Sequence, residues 1–294
     1  MTRSTKPSIG ERLFVALQHL VPQRWLSEQM YRLARVQWRP LKALVIRSFA
    51  RLYRIDMSLA REPRLSAYPH FNAFFTRALK PEARPLDTHP RAVLCPVDGA
   101  ISQIGPISDG KLIQAKGHDY SVRALLGIEP DETHPFDGGQ FATIYLSPND
   151  YHRIHMPLAG DLTQMLHVPG QLFSVNATTA RLVPGLFARN ERVVCRFDTE
   201  AGTMGLILVG AIFVGGIETL WAGEITPPHS GQDIQRWDYS DDCQHLRLEA
   251  GDEMGRFNLG STVILLFPPN RVQWEPVLVA GQKVQLGQRL GLRL

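Results

Sequence analysis

Short apolar runs rich in β-branched residues, each closed off by glycine or proline, recur from residue 92 to the carboxyl end. They occupy residues 92–95, 99–104, 141–146, 192–197, 206–214 and 262–267. Runs of this length between turn residues predict buried strands. With 24 Gly and 21 Pro punctuating the chain, most of its body is expected to fold as sheet. Residues 201–217 are uncharged and raise the question of a membrane span, but their five glycines favour two strands and a bend. Near the end, Gly281-Gln282-Lys283-Val284 and Gly287-Gln288-Arg289-Leu290 form a near-repeat. It predicts the turns of a small sandwich, as in lipoyl or biotinyl carriers, without the attachment lysine motif that a carrier needs.

The first 64 residues follow another pattern. Leu13, Phe14, Leu17, Leu20 and Val21 make an apolar stripe at helical spacing, which Pro22 ends. Leu41, Leu44, Val45, Phe49 and Leu52 make a second, with Arg47, Arg51 and Arg54 on the opposite face, and Trp25, Trp38 and Tyr53 add interfacial aromatics. Thirteen Lys/Arg against four Asp/Glu give this head a charge of +9, whereas residues 65–294 carry −5. No uncharged run here approaches the ~20 residues of a spanning helix. The pattern predicts helices lying in the interface of an anionic membrane. A helical subdomain packed on the body is the alternative; nucleic acid is disfavoured, because so rich an apolar face does not suit an electrostatic binder. The expected class is α+β, with a helical membrane-association region over 1–64 and a β-rich, sandwich-like catalytic domain over 65–294. Cys95, Cys195 and Cys243 fit no CxxC spacing and predict reduced thiols, and the first ten residues do not read as a signal peptide.

Three strings carry the chemistry: Cys95-Pro96-Val97-Asp98-Gly99, the stretch 145–157 containing Tyr151, His152 and His155, and Phe257-Asn258-Leu259-Gly260-Ser261-Thr262. Singly they are weak, since an Asp-Gly pair is usually a turn and Gly-Ser before a strand is usually a cap. Together they supply Asp, His and Ser, the ingredients of an activated nucleophile. The absence of GxSxG and HExxH lowers the α/β-hydrolase and zinc readings. Residue patterns leave open a Ser-His-Asp hydrolase at a membrane surface, a membrane-bound binding module, and a zinc peptidase using His152 and His155.

Tyr-His-Arg-x-His-Met-Pro at 151–157, Gly-Gln-Leu-Phe-Ser-Val-Asn at 170–176 and Leu-Gly-Ser-Thr at 259–262, with the Asn72–Arg77 segment that carries Phe-Phe-x-Arg and Val-Asp-Gly at 97–99, form an ordered set. The set strongly resembles the bacterial, membrane-associated phosphatidylserine decarboxylases, over essentially the whole chain. That resemblance implies a proenzyme that cuts itself between Gly260 and Ser261 into chains 1–260 and 261–294. Ser261 would attack the Gly260 carbonyl, with His155 as base and Asp98 orienting His155. Ser261 would become a pyruvoyl group that takes the substrate amine as a Schiff base, so neither a metal nor pyridoxal phosphate is expected. His152 is the candidate proton donor, Tyr151 the alternative, and Ser174 and Asn176 are candidate contacts for the substrate carboxylate or phosphate. The implied reaction converts phosphatidylserine in an anionic membrane to phosphatidylethanolamine and CO2. The implied assembly is a heterodimer of the two products, with an isologous dimer as the default beyond it. Its implied place is peripheral, on the cytoplasmic face of the inner membrane.

Overall fold

The computed structural model describes residues 7–115, 117–129, 131–213, 216–226, 233–240, 246–260 and 262–294. The head forms α1 (Ile9–Leu20), α2 (Gln23–Ala34) and α3 (Arg39–Leu52), followed by the short α4 (Phe71–Phe75). The body begins with β1 (Ala92–Leu94), β2 (Gly99–Pro106), the hairpin β3 (Lys111–Ala115) and β4 (His118–Ser121), and β5 (Gln140–Tyr145). Then come β6 (Arg153–His155), β7 (Gly160–Val168), β8 (Arg192–Thr199), β9 (Gly202–Val209), β10 (Ile217–Thr219), β11 (Gly223–Glu224), β12 (Gln235–Asp238) and β13 (Arg247–Leu248). The last are β14 (Glu253–Phe257), β15 (Thr262–Phe267), β16 (Val272–Trp274), β17 (Lys283–Val284) and β18 (Arg289–Arg293). This mixture of helix and sheet is the expected α+β class.

A nine-stranded antiparallel sheet runs β12-β7-β8-β9-β15-β5-β2-β17, with β13 also on β7. Its centre explains the apolar runs. All six residues of β15 are buried, because side chains alternate between two cores. Val263, Leu265 and Phe267 enter one core; Ile264 and Leu266 enter the other. Over the first face lie the sheets β11-β10-β14-β6 and β1-β18-β16, a sandwich arrangement. The β3–β4 hairpin and short helices such as Ala177–Leu182 and Leu186–Arg189 cover the second.

The run at 262–267 is β15 to the residue, but the one expected at 206–214 is shifted. β9 spans Gly202–Val209, since it forms a hairpin with β8 and ends where both neighbours end, at the pairs of Val209 with Arg192 and Thr262. β7 went unseen in the sequence because its outward positions are polar and half-exposed. Cys95 and Cys195 are free and buried, and Cys243 lies outside the described residues.

The head sits on the body by its polar side. Gln18 is buried in α1 and accepts the Ser174 N–H (2.8 Å), and Gln23 of α2 accepts the Leu172 N–H (2.7 Å). Ile46 and Phe49 of α3 pack with Phe71, Phe74 and Phe75 of α4. The predicted apolar stripes therefore divide. Phe49 turns inward, while Ile9, Leu20, Trp38 and Leu52 stand 87, 80, 67 and 75% exposed. None of the described helices is long and apolar enough to cross a membrane.

Candidate active site

Strand register brings the three strings together. Tyr145 at the end of β5 pairs with Ala100 of β2 on one side and Thr262 of β15 on the other. The chain leaving β5 and the chains entering β2 and β15 therefore meet at one end of the sheet. Gly99 is required there, because a Cβ at that position would lie 2.5 Å from the Tyr145 carbonyl oxygen. Backbone bonds complete the junction: the His155 N–H donates to Pro96 O (2.9 Å) and the Phe257 N–H to His152 O (3.0 Å).

The turn before β15 is strained. Leu259 has φ +122° and Gly260 φ +49°. Glycine accepts such a conformation freely, but for leucine it costs on the order of 1–3 kcal/mol and needs surrounding structure to hold it. Leu259 packs against the α3–α4 cluster. Asn258, fully buried, donates its backbone N–H to Gly216 O (2.9 Å) and accepts from Asn72 Nδ2 (3.0 Å). Nothing lies within 4 Å of where a Gly260 Cβ would be. Ser261 lies outside the described residues.

His155 is held in one tautomer. Its Nδ1 lies 2.8 Å from Gly251 O, which can only accept, so Nδ1 carries the proton. Nε2 is left as the lone pair and accepts from the Tyr151 hydroxyl at 3.3 Å. Burial lowers the His155 pKa from 6.5, against the opposing pull of Gly251 O and Glu253, so the ring is neutral near pH 7. The expected bond from Asp98 to His155 is not made. Arg84 takes the Asp98 carboxylate through Nε (2.8 Å) and Nη2, and the Leu286 N–H donates to Oδ1 (2.9 Å). A guanidinium fork is the better partner for a buried carboxylate, and Gly251 does the orienting assigned to Asp98. Asp98 still acts nearby, since its charge and that of Glu253 add to burial in raising the Tyr151 pKa.

His152 is fully buried and stacked on Phe75, with ring centroids 4.0 Å apart. Among the described residues neither ring nitrogen makes a well-aligned hydrogen bond, and burial together with Arg77 lowers its pKa to about 3 against the weaker pull of the Pro148 and Ser147 carbonyls. Phe75, not His152, faces the adjoining cavity.

That cavity, about 440 Å³, lies between the head and the body. Residues of α2, α3 and α4 wall it on one side; Tyr145, Ser174, Leu259 and Gly260 face it from the other. The two expected substrate contacts both line it, in different states. The Asn176 carbonyl caps the helix Ala177–Leu182, accepting from the Thr178 and Thr179 N–H groups (3.0 and 3.1 Å). The Ser174 hydroxyl, 3.4 Å from Asn176 Nδ2, is the freer group. Among the described residues no cluster of three or more His, Cys, Asp or Glu is gathered to hold a metal, so the zinc reading has no ligand set there.

Sequence reading missed Arg84, Gly251, Gln18, Gln23 and the pairing of Asn72 with Asn258. Asn258 and Asn72 fell within quoted segments, but nothing local showed that they face each other across 186 positions.

A strained glycine turn that opens on an apolar cavity, at the sheet end where the three strings meet, suits an enzyme site better than a capped strand. Residues 71–292 match the family model described as phosphatidylserine decarboxylase, and residues 13–54 match a second model described as PSD. The phosphatidylserine decarboxylase proenzyme of Pseudomonas fluorescens is 57% identical over 284 residues, covering 97% of this chain and 98% of that one. Proteins of the same name from Ectopseudomonas mendocina and Azotobacter vinelandii are 56 and 54% identical, each over 96% of this chain and 98% of their own. The chain belongs to the phosphatidylserine decarboxylase family.

Proposed function

We propose that this chain decarboxylates phosphatidylserine to phosphatidylethanolamine and CO2 at an anionic membrane surface, using a pyruvoyl group made from Ser261. The observation that carries the reading is the positive-φ Leu259-Gly260 pair opening on an apolar cavity. In the cut, His155 takes the Ser261 hydroxyl proton and the oxygen adds to the Gly260 carbonyl. The C–N bond breaks, leaving an ester. Loss of the Ser261 α-proton expels the Gly260 carboxylate, and water converts the resulting dehydroalanine to a ketone with release of ammonia. Breaking the chain here also frees Leu259 from its strained conformation, which favours the forward direction.

The cavity suits the group so made. Gly260 opens on it, its walls are apolar, and the Ser174 hydroxyl supplies a polar contact for the substrate headgroup. A pyruvoyl carbonyl supplies an electron sink for the loss of CO2. Tyr151, hydrogen bonded to His155, holds the base, and Asp98, paired with Arg84, acts through its charge on Tyr151. His152 is assigned as proton donor to the former α-carbon. Phase by phase this requires Phe75 to swing aside, which would hydrate His152 and relieve the burial that keeps it neutral.

Residues 1–64 act as the membrane foot. Helix α1 turns Gln18 to the body and Leu13, Leu17 and Leu20 outward, while α3 packs Ile46 and Phe49 inward and leaves Leu44 and Leu52 exposed, with Arg47, Arg51 and Arg54 alongside for anionic headgroups. Residues 65–294 are the catalytic unit, with carrier-like turns at Gly281 and Gly287, both at positive φ. The proposed place is peripheral, on the cytoplasmic face of the inner membrane, and the absence of a spanning helix among the described residues is compatible with it. Purified protein given phosphatidylserine vesicles should release CO2, and borohydride with that lipid should label the shorter chain. Ser261→Ala should do neither; release of CO2 by that variant would refute the reading.

A further inference from the structure

We infer that Glu224 is a positioning residue for self-cleavage, holding the strained turn through Asn258 and linking it to helix α2. The inference rests on the reading of Gly260–Ser261 as the bond that is cut.

The Glu224 carboxylate is shared between two parts of the molecule. Oε2 accepts from the Tyr31 hydroxyl of α2 at 2.9 Å, and Oε1 is paired with the Arg35 guanidinium of the same helix. Oε1 also accepts from Asn258 Nδ2 at 3.1 Å. Arg35 is fixed in turn by lying over the Tyr31 ring, 3.5 Å from its centroid. Asn258 is therefore held at three points, by Glu224, by Asn72 and by Gly216 O. The very next residue is Leu259 at φ +122°.

A strained φ persists only where its neighbours are fixed, and the side chain fixing Asn258 from the α2 side is Glu224. Its position carries an electrostatic cost as well. In register across β10 and β11 it faces Glu218, a like-charge pair. Arg256 balances Glu218, and Arg35 balances Glu224. Helix α2 also walls the cavity at Gly260 through Met30, Leu33 and Ala34, so the same helix both borders the turn and grips it. Glu224 touches none of the reacting atoms.

The test follows appearance of the shorter chain after cell-free synthesis of the full-length protein. Glu224→Ala should slow cleavage roughly tenfold, as expected when a hydrogen bond is lost and its partner left unpaired. Glu224→Gln keeps an acceptor for Asn258 and should restore the rate to within about threefold of wild type. Arg35→Met should slow cleavage less than Glu224→Ala. Melting of each variant in a Ser261→Ala background separates positioning from folding: the inference expects Glu224→Ala and Glu224→Gln to melt alike while cleaving differently. Wild-type rates in both Glu224 variants would overturn the inference. So would equal slowing in both with a matching loss of melting temperature, and an unaffected Arg35→Met would remove α2 from it. A wild-type chain that is never cut after Gly260 would instead overturn the self-cleavage reading beneath it.

Discussion

His155 and His152 stand three residues apart, and burial lowers the pKa of both. For His155 the effect keeps the base usable: the neutral ring persists to more acid pH than a free histidine near 6.5. Cleavage should therefore rise with pH along a limb centred below 6.5 and be flat above pH 7; a midpoint at or above 6.5 would contradict the assignment. Tyr151→Phe removes the hydroxyl on Nε2 and should slow cleavage by about tenfold, read by gel densitometry. His152 carries a stability prediction. An unfolded histidine takes a proton near pH 6.5, the folded one only near 3. Protonation thus favours the unfolded chain, and stability falls as pH drops from 6.5 towards 3, at up to about 1.4 kcal/mol per pH unit. His152→Gln should flatten this slope in urea titrations and, if His152 is the donor, leave cleavage largely intact while decarboxylation collapses. At this scale the sequence marks residue types but not how they pair. Asp98 and His155 were legible from residue type, but their partners Arg84 and Gly251 come from distant segments that no local pattern marks.

Among the elements, periodicity predicted α1 and α3 but not which way they face. A helix whose apolar stripe points outward has the same 3.6-residue repeat as one that buries it. In α1 the difference lies in Gln18, whose bond to Ser174 fixes the polar side inward, whereas α3 turns Ile46 and Phe49 inward. The foot makes its own prediction. Replacing Leu13, Leu17 and Leu20 by serine removes side chains that face away from the body, so melting should hardly change. Sedimentation with phosphatidylserine vesicles should weaken at least tenfold, since each leucine contributes roughly 2 kcal/mol when buried in lipid. Unchanged vesicle binding would contradict the membrane role. Strands were most legible where both faces are buried, as in β15, and least where one is wet, as in β7.

Across the whole molecule, the proposed cut would fall at a point the fold can survive. Residues 262–294 contribute β15 between β9 and β5, β17 beside β2, and β18 beside β1 with β16 on its other side. A peptide that supplies the central strand of the main sheet cannot diffuse away without opening both cores, so the two chains should separate only in denaturant. Leu265→Ala, wholly buried on that strand, should cost about 2–5 kcal/mol in chemical denaturation of the uncut Ser261→Ala protein. Intact-mass spectrometry of the purified wild-type protein is the most direct test. Two chains are expected, one ending at Gly260 and one of 34 residues whose first residue has lost the mass of an amine in exchange for a keto oxygen. A single 33.0 kDa chain from fully active protein would contradict the account.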